Sequence, residues 1–125
     1  MAEAKTILVV DDELDERTWM TAFFEDNGYL TRSAVDGEDG FAQAKAGVDL
    51  ITLDITMDNQ SGVRMFKNLQ QAPETQDIPV IMVTGVAGEF KQFLERTRQV
   101  TSPAGYFEKP VDRDELLAKV RDLIG

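Results

Sequence analysis

Short apolar runs alternate along the chain with longer segments in which apolar residues recur every three or four positions. A run such as residues 6–10 is typical of a parallel strand buried on both faces, whereas the longer segments are typical of helices that pack on a sheet. The predicted strands are residues 6–10, 29–34, 50–53, 80–83 and 105–108. The pattern therefore predicts an α/β domain in which five β-α units build a five-stranded parallel sheet.

A predicted helix follows each strand, which makes five helices. In the first, at about residues 14–27, Trp19, Ala22 and Phe23 lie at helical spacing and Gly28 is the expected stop. The other helices are predicted at residues 37–47, 62–71 and about 90–97, and after a capping box of Asp112 and Glu115. Further helical positions expected in the core are Phe24, Val63, Phe66, Leu69, Phe90, Phe93, Leu116, Leu117, Val120, Leu123 and Ile124.

Composition bounds the classes of protein that the chain can represent. Its 125 residues, 42% hydrophobic and 29% charged, suit one globular domain, and we expect residues 1–125 to form a single domain without an output domain. The absence of cysteine and histidine excludes disulfides, thiolate metal sites and an imidazole base or phosphate carrier. The net charge of −10 argues against direct nucleic acid binding. The apolar stretches are too short for membrane insertion, and no secretory signal is present. The absence of cysteine and histidine fits a cytoplasmic protein.

Polar residues stand where the predicted strands end. Asp11 and Asp12 follow the first strand, Asp54 follows the third, Thr84 the fourth and Lys109 the fifth. In an open parallel sheet, ligands bind at the edge formed by the carboxyl ends of the strands. We therefore expect these five residues to converge on one site.

The chemistry of this set favours phosphoryl transfer. Three carboxylates that lie close together must share protons or bind a cation, and their oxygen donors suit Mg2+ or Mn2+. A carboxylate such as that of Asp54 is also a nucleophile toward phosphorus. Lys109 and Thr84 supply the positive charge and the hydrogen-bond donor that the phosphoryl oxygens need.

Four motifs in order along the chain resemble those of a known family. They are Val9-Val10-Asp11-Asp12-Glu13, Leu53-Asp54-Ile55-Thr56-Met57, Val83-Thr84-Gly85 and Tyr106-Phe107-Glu108-Lys109-Pro110. Together they resemble the receiver domain of two-component response regulators, of the chemotaxis-regulator-like kind, from about Thr6 to Ile124. The resemblance implies a doubly wound, flavodoxin-like fold and a phosphorylated signalling domain. Its own chemistry would be weak self-phosphorylation from small donors and autodephosphorylation.

The resemblance also implies a role for each matching residue. Asp54 would accept a phosphoryl group from a phosphohistidine of a histidine kinase or a histidine phosphotransfer protein. Mg2+ would be held by the side chains of Asp12 and Asp54, by Asp11 directly or through water, and by the backbone carbonyl of Thr56. Lys109 and Thr84 would bind the phosphoryl oxygens, and the Lys109-Pro110 peptide bond is expected to be cis.

Tyr106 matches the switch aromatic of the family. On phosphorylation, Thr84 would move toward the phosphate and Tyr106 would turn inward, which would change a face that binds a downstream protein target. Two departures from the family pattern lie nearby. Asp58 stands where proline is common, and the stretch between Thr84 and Lys109 is longer than usual, with the extra length at residues 98–103.

Simpler interpretations remain open for single residues. Asp11 and Asp12 can cap the first helix, and Asp54 can be a turn residue. Lys109 can be a solvated lysine, and Thr84 and Tyr106 can be structural residues of their strands. Glu13 is expected to be an acid of the first helical turn that favours the helix dipole, with a smaller prospect of touching the metal.

Three other functions compete with the leading one. A phosphatase of the haloacid dehalogenase kind also forms an aspartyl phosphate, but it needs a second aspartate where Thr56 stands. A receiver-like docking module that no longer takes phosphate would typically lose one of Asp12, Asp54, Thr84 or Lys109. A receiver cut from a larger regulator or a hybrid kinase would have much the same sequence.

Overall fold

A computed structural model describes residues 4–55, 57, 61–85 and 103–125 of the chain. Its strands are β1 Thr6–Val10, β2 Leu30–Ala34, β3 Leu50–Asp54, β4 Val80–Thr84 and β5 Gly105–Glu108. The helices within the described residues are α1 Leu14–Asp26, α2 Gly37–Lys45, α3 Ser61–Gln71 and α4 Arg113–Ile124. The predicted helix at residues 90–97 lies outside the described residues.

The five strands form one parallel sheet in the order β2-β1-β3-β4-β5. This is the strand order of the flavodoxin-like doubly wound fold, so the predicted fold class is confirmed. The chain leaves β1 toward β2 on one side, and β3 pairs with β1 on the other. A crevice therefore opens at the carboxyl ends of β1 and β3, where the connections diverge.

Side chains of each strand alternate between two cores, one on each face of the sheet. One core lies between the sheet and helices α2 and α3, and includes Leu53, Phe66 and Met82. The other lies between the sheet and helices α1 and α4, and includes Phe24 and Leu116. The central strands are buried on both faces, which explains why they read as continuous apolar runs.

The buried stripe of α1 differs from the predicted one. Met20 and Phe24 are buried, Trp19 and Phe23 are half-buried, and Ala22 is exposed. Ala22 is two residues from both Met20 and Phe24, which places it about 200° around the helix from each. The small alanine therefore lies on the solvent side, and the larger methionine two positions earlier fills the core.

The remaining helix predictions agree with the structure. Phe66 and Leu69 of α3 and Leu116 and Val120 of α4 are buried, and the other predicted positions of these helices are half-buried. The carboxylate of Asp112 accepts a hydrogen bond from the Glu115 N–H at 3.1 Å, as expected of the helix cap. Among the described residues, no helix has the length and apolar character needed to cross a membrane.

Candidate functional site

The predicted site residues lie at one edge of the sheet. Asp54 is the last residue of β3 and pairs in register with Val83 of β4, and Thr84 is the last residue of β4. Asp11 directly follows β1, and Lys109 directly follows β5. The edge prediction is confirmed for these residues, whereas Thr56 lies outside the described residues.

Four carboxylates form what we call the acidic cluster: Asp11, Asp12, Glu13 and Asp54. One oxygen from each residue lies within 4.8 Å of the others. Asp11 and Asp54 are only 2% exposed, whereas Asp12 and Glu13 are exposed to solvent. The cluster therefore has a buried floor and an open rim, through which an ion or a phosphoryl donor can approach.

Lys109 joins β5 to the acidic cluster. Its Nζ lies 3.1 Å from Oδ2 of Asp11, 3.2 Å from Oδ2 of Asp54 and 3.5 Å from Oε1 of Glu13. The ammonium group donates hydrogen bonds to both buried aspartates. The Lys109 N–H donates to the Thr84 carbonyl at 2.8 Å, and the Lys109-Pro110 peptide bond is cis, as expected.

The single positive charge of Lys109 does not balance the negative charges of the four carboxylates in the acidic cluster. Burial raises the pKa of Asp11 from its ordinary 3.8 to about 6, and the charge of Asp54 adds to the rise. The Glu13 N–H and the charge of Lys109 oppose it. Burial lowers the pKa of Lys109, but the charges of Asp54 and Asp11 outweigh burial and raise it above its ordinary value. The lysine therefore stays charged at neutral pH, and the buried acids retain excess negative charge.

The turn between β1 and α1 is held at Asp11. Its Oδ1 accepts a hydrogen bond from the Glu13 N–H at 2.9 Å, and its carbonyl accepts one from Nη1 of Arg17 at 2.7 Å. The N-cap of α1 is Glu13, and no side chain of the described residues makes a cap hydrogen bond there. The simpler interpretation, in which Asp11 or Asp12 caps this helix, is therefore not what the structure shows.

Sequence reasoning gave two residues of this region too little weight. Glu13 was expected to be mainly a first-turn acid, yet its carboxylate belongs to the acidic cluster and pairs with Lys109. Arg17 was missed. Its signal is its position in the first turn of α1, five residues after Asp12, from which a long side chain can reach back to the turn.

Thr84 and Tyr106 lie on one face of the sheet. Tyr106 is in register with Met82, and Met82 is two residues before Thr84, so the three side chains point to the same side. Thr84 is fully buried, and Tyr106 is half-buried. The Tyr106 hydroxyl donates to Oε1 of Glu108 at 3.1 Å. This arrangement does not test the switch, which stays a prediction; Asp58 and residues 98–102 lie outside the described residues.

Comparison with known proteins agrees with this geometry. The model of the response regulator receiver domain family matches residues 7–121. Protein PilH of Pseudomonas aeruginosa is 32% identical over 119 residues, which cover 94% of this chain and 96% of PilH. Chemotaxis protein CheY of Treponema pallidum is 29% identical over 122 residues, 94% of this chain and 81% of CheY.

Longer relatives and solved structures extend the likeness. The phosphate regulon transcriptional regulatory protein PhoB of Escherichia coli is 34% identical over 120 residues, 94% of this chain. The chain spans about half the length of this relative and of several others. The structure of chemotaxis protein CheY4 of Vibrio cholerae matches with a TM-score of 0.81 and 27% identity, covering 97% of this chain and 99% of that one. The chain belongs to the response regulator receiver domain family, whose members are signalling domains of two-component systems rather than ordinary enzymes.

Proposed function

We propose that this receiver domain accepts a phosphoryl group on Asp54 from a phosphohistidine of a histidine kinase or a histidine phosphotransfer protein. The observation that carries the proposal is the position of the Asp54 carboxylate. It is buried at the end of β3, 3.2 Å from a charged lysine and within the acidic cluster. Since the chain contains no histidine, the donor is a separate group that enters over the open rim.

The residues present fit a divalent metal ion. The acidic cluster offers only oxygen ligands, which suit Mg2+ or Mn2+, and it carries more negative charge than Lys109 balances. Asp11, Asp12 and Asp54 would hold the ion, with Glu13 near it on the rim. The backbone carbonyl of Thr56 remains a predicted further ligand. When bound, the ion supplies positive charge beside the transferring phosphoryl oxygens.

The chain's own residues then have distinct tasks. An oxygen of Asp54 attacks the phosphorus atom, the bond from phosphorus to the donor's imidazole nitrogen breaks, and an acyl phosphate forms on Asp54. Lys109 remains charged beside the phosphoryl oxygens, because its raised pKa prevents loss of the proton. Thr84 donates a hydrogen bond to a phosphoryl oxygen.

The same site explains why the domain signals rather than turns over substrate. The acyl phosphate stays on the chain until water or an acceptor removes it, so each transfer changes the state of the protein. We propose that small donors also phosphorylate the domain weakly and that it dephosphorylates itself. Thr84 and Tyr106 then shift the population of a face that binds a downstream protein. The expected location in the cytoplasm stays a prediction.

The proposal is tested by intact-mass measurement after incubation with acetyl phosphate and Mg2+. We expect wild-type protein to gain the mass of one phosphoryl group only when Mg2+ is present. Asp54→Ala should gain nothing, whereas Asp26→Ala, which changes an exposed aspartate at the end of α1, should behave as wild type.

Two outcomes would count against this function. A phosphoryl group that still appears on Asp54→Ala would move the acceptor elsewhere. No gain in folded wild-type protein, with acetyl phosphate and with a phosphohistidine protein donor, would favour the alternative of a docking module that does not use phosphate. A gain with the protein donor alone would leave the acceptor role intact and show that small donors are excluded.

A further inference from the structure

A glycine near the start of α3 lies directly against the backbone that carries the phosphoacceptor. Gly62 is the second residue of α3, and it is buried. A Cβ atom added there would overlap the backbone oxygen of Asp54 and would lie 2.9 Å from Cα of Ile55. Carbon atoms in ordinary contact are about 3.5–4.0 Å apart, so any side chain at this position must separate the two segments by roughly half an ångström or more.

Helix α3 cannot absorb this separation by retreating freely. Its residues Met65, Phe66 and Leu69 are fully buried in the core that also contains Leu53 and Ile55. On the same buried face of α3, the Met65 side chain packs beside Gly40 of α2. An outward shift of α3 would therefore open the packed contacts that Met65, Phe66 and Leu69 make on this face.

The backbone that Gly62 contacts, at Asp54 and Ile55, also determines the position of the Asp54 carboxylate. The N–H of Ile55 donates to the Val83 carbonyl at 3.1 Å, so the peptide between Asp54 and Ile55 is held between β4 and α3. The Asp54 carboxylate belongs to the same residue and lies 3.2 Å from Nζ of Lys109. A displacement of this peptide displaces the carboxylate relative to Lys109 and Asp11.

We propose that Gly62 is a positioning residue for the phosphoacceptor. Because Gly62 has no side chain, α3 packs directly against the peptide that follows Asp54. This contact orients the Asp54 carboxylate toward Lys109 and toward the acids proposed to bind the metal. The inference rests on the proposed function of Asp54. It adds that α3, which contributes no group to the acidic cluster, sets the reactivity of the site through this contact.

The test compares Gly62→Ala with Gly40→Ala, because both replace a buried helical glycine that has a close neighbour. At Gly40 the nearest atom to an added Cβ is the sulfur of Met65 at 2.8 Å, the flexible end of a side chain, whereas at Gly62 it is backbone. For each variant, the Mg2+ dissociation constant is measured by calorimetry and the phosphorylation rate with acetyl phosphate is measured at saturating Mg2+. Thermal unfolding shows which fraction of each variant is folded at the assay temperature.

We expect Gly62→Ala to phosphorylate at least tenfold more slowly than wild type at saturating Mg2+, because a reacting group misplaced by about 1 Å can lose about a hundredfold in rate. Its Mg2+ affinity should also fall severalfold, whereas Gly40→Ala should stay within threefold of wild type in both. At saturating Mg2+ every folded molecule holds the ion, so a slower rate reports the orientation of the Asp54 carboxylate and not weaker metal binding. The thermal unfolding measurement corrects the rate for any unfolded fraction.

A Gly62→Ala protein that is folded and phosphorylates within twofold of wild type would overturn the inference, as would equal losses in Gly40→Ala. If Gly62→Ala is unfolded at the assay temperature, the measurement is repeated near 10 °C. A variant that is unfolded there too also counts against the inference, because the overlap is then relieved by loss of the fold rather than by displacement of Asp54. Wild-type protein that takes no phosphoryl group at all would instead be the failure of the proposed function.

Discussion

Two polar residues of β3, Thr52 and Asp54, lie two positions apart on the same face of the strand and have opposite environments. Thr52 is 1% exposed, and its Oγ1 has no hydrogen-bond partner among the described residues. Asp54 is 2% exposed, yet its carboxylate accepts a hydrogen bond from charged Lys109 and faces the acidic cluster. Within the described residues, the Thr52 hydroxyl is therefore buried without a hydrogen-bond partner, whereas the Asp54 carboxylate is buried within a network of charges.

The difference shows what the carboxyl edge of the sheet provides. In the middle of β3, the neighbours on both sides are Val9 and Ile81, which offer the Thr52 hydroxyl no side-chain acceptor. At the end of β3, the segments that follow β1, β3 and β5 lie close together. The segments after β1 and β5 place Asp11 and Lys109 beside Asp54. A buried charge is tolerable where several chain segments converge, because each can contribute a partner. The comparison makes three predictions.

Removing the positive charge of Lys109 should have the largest effect on stability. In Lys109→Met, Asp11 and Asp54 remain as buried acids without their positive partner, so we expect the free energy of unfolding without metal to fall by about 3 kcal/mol. Saturating Mg2+ should recover part of this loss, because the ion takes over the compensation of charge. Urea unfolding with and without Mg2+ measures both effects.

The matched control for Lys109 is Lys5→Met, which changes an exposed lysine just before β1. It should alter the free energy of unfolding by less than about 0.5 kcal/mol. Equal stability of Lys109→Met and Lys5→Met in the absence of metal would show that Lys109 does not compensate the buried acids, and the contrast with Thr52 would lose its basis.

The second effect is the pH dependence of Asp11. Because burial raises the pKa of Asp11 from 3.8 to about 6, the folded state binds a proton at this carboxyl more tightly than the unfolded state. The resulting stabilisation is fully present below about pH 4 and is lost as the pH rises through about 6. Relative to Asp11→Asn, which cannot titrate here, the free energy of unfolding of metal-free wild-type protein should fall by about 2–3 kcal/mol between about pH 4 and pH 7.

Urea unfolding at several pH values checks the Asp11 prediction. A difference between the two proteins that is constant across this range would mean that Asp11 titrates normally in the folded state. A difference that instead grows in favour of wild type as the pH rises would mean that the Lys109 charge outweighs burial at Asp11.

The smallest effect concerns Thr52. Replacing Thr52 by valine keeps the shape and removes a buried hydroxyl that has no partner in the described part of the chain, so we expect the free energy of unfolding to rise by about 1 kcal/mol. Thr75 is the matched control, because it is also 1% exposed but its Oγ1 donates to the Leu69 carbonyl at 2.7 Å. Thr75→Val should lose about 1 kcal/mol, as measured by thermal unfolding. Thr52→Val and Thr75→Val that are destabilised alike would indicate that the Thr52 hydroxyl has a partner such as a buried water.

The fold was largely predictable because its signal is strong in the chain. Central strands buried on both faces leave continuous apolar runs, and the predicted bounds of β1 and β5 agree with the structure. Helix faces were harder to predict. In α1, residues 19 to 24 contain five apolar side chains that surround much of the helix, so periodicity alone did not separate buried Met20 from exposed Ala22.

The site was predictable to the extent that strand ends determine it. Asp11, Asp54 and Lys109 converge because a parallel sheet aligns the ends of its strands. Glu13 and Arg17 depend instead on side-chain directions in a helix that starts beside the site, and residue types do not specify these directions. Gly62 was not predictable as a close contact of Asp54, because a glycine in a helix shows nothing in sequence about the backbone it meets.

The contact between Lys109 and Asp11 joins residues 98 positions apart in the chain. Asp11 and Asp54 follow or end the adjacent strands β1 and β3, whereas Lys109 follows β5, the edge strand beyond β4. Contacts between segments that are distant in sequence form slowly, because the entropy of closing a long loop is lost before the contact contributes any favourable free energy. The electrostatic attraction between Lys109 and the two buried acids therefore favours docking of this edge strand, so the charges of the site also help to close the sheet.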